Sequence, residues 1–148
     1  FYMGVGSVKS LSIYKLLESD VKPEIRRASL ILLPLFCSKK ETVDILENHA
    51  KDLNVAVSRM ANYLLSLINN EELAQINLKK FHGLNFVYLG DQIWRLWFIG
   101  FNSNKKIREA LLRLLKRINE EYRNYSIIFL HIKTIKKRIK LDKQIENT

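Results

Sequence analysis

Cysteine, proline and glycine are scarce in this chain of 148 residues, which holds one, two and five of them. A lone thiol, Cys37, closes no intramolecular disulfide and builds no cysteine zinc cluster. It fits a reducing, cytoplasmic compartment. With so few turn-forming residues an all-β fold is not expected. Long apolar runs are missing as well: Ala28 to Cys37 is the longest mostly apolar run, far below the ~18–20 residues that a bilayer needs. The first residues carry neither the n-region and cleavage site of a secretory leader nor a myristoylation signal, since Val8 stands where that signal wants Ser or Thr.

Catalytic motifs are also lacking. His49, His82 and His131 are isolated, with no second ligand at helical spacing. No HExxH, P-loop or nucleophile elbow occurs. Glu71 and Glu72 are neighbours that point different ways on a helix, not a catalytic pair. No enzymatic activity, metal or cofactor is therefore expected.

At 47% hydrophobic and 27% charged, the chain has the composition of an ordinary globular domain. Its charge is uneven. Residues 101–148 carry thirteen Lys and Arg against five acids, a net of +8 out of +10 for the whole chain. The basic character belongs to one end.

A pattern recurs along the chain. From Ile25, the residues Ala28, Ser29, Leu32, Leu33 and Phe36 follow at offsets 3, 4, 7, 8 and 11, one face of an α-helix. The same offsets from Val57 give Met60, Ala61, Leu64, Leu65 and Ile68, and from Ile107 they give Ala110, Leu111, Leu114, Leu115 and Ile118. Small residues come early, which lets each helix start approach a neighbour closely. Five positions before each anchor stand Asp20, Asp52 and Asn102, each opening a short polar turn. Pro23 fits the first turn of a helix. Other helical stretches precede these turns, at Val8 to Glu18, Glu41 to Lys51 and Gln92 to Gly100. The alternation of helix, tight turn and helix predicts an all-α fold. Pro34 should kink the helix that contains it.

The strings Asp20-Val-Lys-Pro-Glu-Ile-Arg-Arg-Ala, Asp52-Leu-Asn-Val-Ala-Val-Ser-Arg-Met-Ala and Asn102-Ser-Asn-Lys-Lys-Ile-Arg-Glu-Ala resemble the short-period HEAT-like repeat family. The resemblance covers about two-thirds of the chain. It implies a short right-handed α-solenoid of about seven helices, a single domain over 1–148 with repeat copies near 8–37, 41–68 and 91–119. In the family the turn Asp and an Arg six residues on form a ladder between repeats. Asp20 with Arg26 matches it, while Ser58 and Asn102 break it.

The copies are 32 and then 50 residues apart, which leaves 69–90 as an irregular segment. Asn69 or Asn70 is expected to cap a helix running to about Phe81, with His82-Gly83-Leu84-Asn85 breaking it and Asp91 capping the next. Seven of the fifteen aromatics lie between Phe81 and Phe101. Trp94, Trp97, Phe98 and Phe101 have helical spacing and read as core. Phe86 and Tyr88, on a loop, are the candidates for aromatic contact with a ligand.

The basic end is the strongest functional lead. Lys105, Lys106 and Arg108 decorate one helix, with Arg113, Lys116 and Arg117 further along it. A last helix over about 124–143 carries the stripe Ile128, Ile132, Ile135 and Ile139, with Lys133, Lys136, Lys137, Arg138 and Lys140 around it. The stripe suits burial at the open end of a solenoid. The expectation is a non-catalytic binding or scaffold module whose basic C-terminal surface, from Lys105, Lys106, Arg108, Lys133, Lys136, Lys137, Arg138 and Lys140, takes an anionic partner. That partner is a protein or a nucleic acid, not a membrane, because the stripe lacks interfacial Trp. A DNA- or RNA-backbone binder is the first alternative. A HEAT-like enzyme of the DNA glycosylase or tetrapyrrole lyase type is the second, implied only by the resemblance.

Overall fold

Three turns of the chain close in the same way in the computed structural model. A side-chain oxygen of Asp20 accepts from the Lys22 backbone N–H at 2.8 Å, that of Asp52 from Asn54 at 2.8 Å, and that of Asn102 from Asn104 at 2.9 Å. A short side chain bonding its own backbone two residues on reverses the chain and competes with helix. A helix then starts at once. Asn54 Oδ1 accepts from the N–H groups of Ala56 and Val57, and Asn104 Oδ1 from that of Ile107, which satisfies donors that a helix start leaves open.

The structure describes residues 15, 19–82, 89, 92–122 and 124–146. All of the expected helix from Val8 to Glu18 except Lys15, the break at Gly83-Leu84-Asn85, the cap at Asp91, and the candidate contacts Phe86 and Tyr88 lie outside the described residues. Among those described there are eight helices and no strand: α1 (Pro23–Ile31), α2 (Leu33–Phe36), α3 (Lys39–His49), α4 (Val55–Asn69), α5 (Glu71–Lys80), α6 (Trp94–Ile99), α7 (Lys105–Glu121) and α8 (Ser126–Glu146). The chain divides into two compact units, Phe1–Leu65 and Ser66–Thr148, with the division inside α4.

In the first unit the expected kink at Pro34 is a complete break. Proline has no N–H to continue the ladder, so the chain turns at Leu32 and restarts as α2 with Pro34 in its first turn. The break changes the predicted inner stripe. Leu30, Leu33 and Cys37 are buried, whereas Ile25 is only half-buried, Ala28 is exposed and Leu32, at the break, is 38% exposed. The stripe from Val57 holds better, with Val57, Ala61 and Leu64 fully buried. Between α2 and α3, Ser38 and Glu41 form a reciprocal capping box.

Arg26 links the first turn to the second. Its Nε and Nη2 donate to the two carboxylate oxygens of Asp52, each at 3.0 Å, and its Nη1 donates to the Asp20 carbonyl at 2.9 Å. The fork matches the carboxylate geometrically. Its hydrogen bonds hold the Asp52 carboxyl down at about 2. His49 Nδ1 stands 3.7 Å from the same carboxylate.

In the second unit α7 is the central contact: α5, α6 and α8 all pack on it. Ile107, Leu111, Leu114, Leu115 and Ile118 form its buried side. As predicted, Asn70 caps α5, accepting from the Leu73 N–H at 3.0 Å. The aromatic cluster is core: Phe81, Trp97, Phe98 and Phe101 are buried, while the half-buried Trp94 meets Phe98 edge-on. Buried Asn77 donates to the Leu73 carbonyl and accepts from Arg95 Nη1 at 3.4 Å, a polar tie between α5 and the start of α6.

Asn102 explains its own departure from aspartate. It is 4% exposed, and its Nδ2 donates to the Leu67 carbonyl at 3.2 Å, in the last turn of α4, where carbonyls lack helical partners. A carboxylate can form the Asx turn but cannot donate that bond. Asn102→Asp is therefore expected to cost about 1–3 kcal/mol at neutral pH, by orphaning a buried acceptor and burying a charge. Denaturant unfolding followed by tryptophan fluorescence checks this, since both tryptophans lie in the second unit.

Candidate anion-binding surface

A helix that buries one stripe must turn the remaining side chains outward. In α8, Ile128, Ile132, Ile135 and Ile139 are all at most 5% exposed. Lys133, Lys137 and Lys140, at offsets 0, 4 and 7, fall on the opposite side and are exposed. Lys136 is half-buried at the margin. In α7, Lys105, Lys106, Arg113 and Lys116 are exposed, and Arg108 is half-buried.

Arg138 does not belong with the outward lysines. It is 8% exposed, and its guanidinium carbon lies 5.2 Å from the centre of the Phe101 ring. Position 138 lies beside the isoleucine stripe, so its side chain runs inward and its charge is set over an aromatic face. It anchors α8.

A second anchor comes from α6. Trp97 Nε1 donates to His131 Nδ1 at 3.2 Å, with the two rings edge to face at 6.1 Å. The bond requires an unprotonated Nδ1. Burial pushes the imidazole below its ordinary value. The isolated His131 of the sequence is thus a docking residue, and helical spacing alone does not announce its partner 34 residues earlier.

The structure also gathers cations that sequence spacing does not connect. A cleft of about 440 Å³ between α5 and α7 is lined by Lys79, His82, Arg113 and Arg117, with Leu78 and Leu114 behind them. In the first unit a shallower recess of about 360 Å³ holds Arg27 from α1 and Arg59 from α4. No group of three His, Cys, Asp or Glu among the described residues is placed to hold a metal ion. No helix among them is long and apolar enough to cross a membrane.

Comparison with protein-family models, curated proteins and solved structures gives no match for this chain.

The His131 contact makes the docking of α8 depend on pH. An imidazole held below its ordinary value in the folded state binds fewer protons than in the unfolded chain, so stability rises with pH across that window. The contribution is complete above the ordinary value of about 6.5 and is lost as pH falls through the lowered one. From about pH 7.5 to about pH 5, the wild type should therefore lose more stability than His131→Phe. Equal losses in urea unfolding at the two pH values would remove the role assigned to His131.

Proposed function

We propose that the protein is a non-catalytic binding module of HEAT-like repeat type, whose basic C-terminal end holds an anionic partner. The observation that carries this reading is the separation of roles on α8. Its isoleucines, Arg138 and His131 face the rest of the second unit, while Lys133, Lys137 and Lys140 are exposed on the other side of the helix. An acidic protein surface or a nucleic-acid backbone offers the complementary charge.

Two features support the repeat character. The same Asx turn stands at the same register before Ile25, Val57 and Ile107. Arg26 joins the first copy to Asp52 of the second, as the family's ladder does between repeats. A DNA- or RNA-backbone binder is the variant of this reading favoured by a row of lysines with spacing 4 and 3, which offers charge without a base-reading element.

Fluorescence anisotropy separates these partners. Labelled duplex DNA, single-stranded RNA and a polyglutamate peptide are titrated at two salt concentrations with wild type and with Lys133/Lys137/Lys140→Ala. The wild type should bind at least one polyanion at low salt, with log affinity falling by about 0.9 per log salt for each duplex phosphate neutralised. The triple variant should bind more weakly and with a shallower slope. Absence of binding, or binding untouched by the triple change, refutes the reading.

A further inference from the structure

The cleft between α5 and α7 is built unlike the open faces of α7 and α8. Its walls come from two helices whose cations are far apart in sequence: Lys79 and then His82 on the α5 side, Arg113 and Arg117 on the α7 side. Among the described residues no Asp or Glu lines it. Glu121, which is not part of the lining, brings its Oε1 to 3.6 Å from Arg117 Nε, a long ion pair one helical turn on. Arg117 is half-buried, and its Nε has no hydrogen-bond partner among the described residues.

Physical chemistry gives such a cluster two explanations. One is local compensation. The C-terminal carbonyls of α5 carry partial negative charge, and Lys79 and Lys80 in its last turn offset it. That accounts for the lysines, and the 3.6 Å pair with exposed Glu121 offsets Arg117 in part, which leaves Arg113 over. Arg113 and Arg117 are four residues apart on α7, a spacing at which like charges oppose each other. Their repulsion is relieved when an anion sits between them. The second explanation is therefore a ligand, and the guanidinium fork suits phosphate oxygens in particular.

The floor narrows the class. Leu78 and Leu114 are 5% and 4% exposed and, with Ala110, give the cleft an apolar base beneath its basic rim. Gln75 adds a carboxamide that both donates and accepts. An inorganic anion would leave that base uncovered. About 440 Å³ lies in the range of small-molecule sites, which combine apolar walls with a few placed polar groups.

We propose that the α5–α7 cleft is a binding site for a phosphorylated small molecule, its phosphate held by Arg113, Arg117 and Lys79 and its organic part lying over Leu78, Ala110 and Leu114. The site shares no residue with α8, so it does not rest on the reading of the basic end given above.

Isothermal titration calorimetry of the whole chain at low salt tests this with two probes, pyrophosphate and adenosine diphosphate. Adenosine diphosphate should bind several-fold more tightly than pyrophosphate, because only it covers the apolar base. Arg113→Ala and Arg117→Ala, on helix positions where alanine keeps the helix, should each weaken it roughly tenfold or more. Lys79→Ala, on the opposite wall, should do the same, while Lys133/Lys137/Lys140→Ala should leave it unchanged. Circular dichroism of each variant verifies its fold. The proposal is overturned by no binding of either probe, by equal affinity for the two, or by loss in the α8 variant with none in the arginine variants.

Discussion

Burial of one isoleucine stripe decides the orientation of everything else on α8. Ile128, Ile132, Ile135 and Ile139 leave water almost completely, each contributing on the order of 1.5–3 kcal/mol relative to exposure. No surface interaction of a lysine approaches that sum, so the lysines take the positions that remain. The same burial brings Arg138 onto Phe101 and His131 onto Trp97. These polar contacts add direction to a packing that hydrophobicity alone would leave free to rotate. The charge of the C-terminal end is arranged by an apolar constraint.

The turns show how much of the fold is legible in the sequence. Asp20, Asp52 and Asn102 stand five residues before their anchors, and an Asx side chain can make the same bond to its own backbone in each setting. Local chemistry of this kind needs no knowledge of the fold. The α7 stripe is legible for a similar reason, since a 3.6-residue period writes burial directly into the sequence. The first stripe is misread at Ile25 and Ala28, on the open side of α1, and at Leu32, where Pro34 replaces one helix with two. The rotation that follows depends on what α1 packs against, which periodicity does not contain. The Ser38 and Glu41 capping box was available as a Ser-x-x-Glu spacing and extends α3 to an earlier start than Glu41.

Charge is less legible than burial. Thirteen basic residues after position 100 mark an end of the chain, not a surface. Helical spacing separates Lys133, Lys137 and Lys140 from the isoleucines, but it does not show that Arg138 turns inward. Nor does it bring Lys79 to Arg113. That meeting depends on α5 packing across α7, a contact between segments about thirty residues apart. Asn102 belongs to the same class. Its change from aspartate looks like a lost charge in the sequence and becomes a gained donor once Leu67 is in reach.

The central claim is that the outward lysines of α8 are the partner surface, held in place by the isoleucine stripe. Amide NMR of the labelled chain, titrated with a short duplex and with polyglutamate, tests this most directly because it reads location as well as affinity. The account predicts that the saturable, salt-sensitive shifts centre on Lys133, Lys137 and Lys140 and on the exposed side of α7, with the Ile135 and Trp97 signals showing α8 still docked. Shifts centred on α1–α3, or a loss of the docked signals when a polyanion binds, would contradict it.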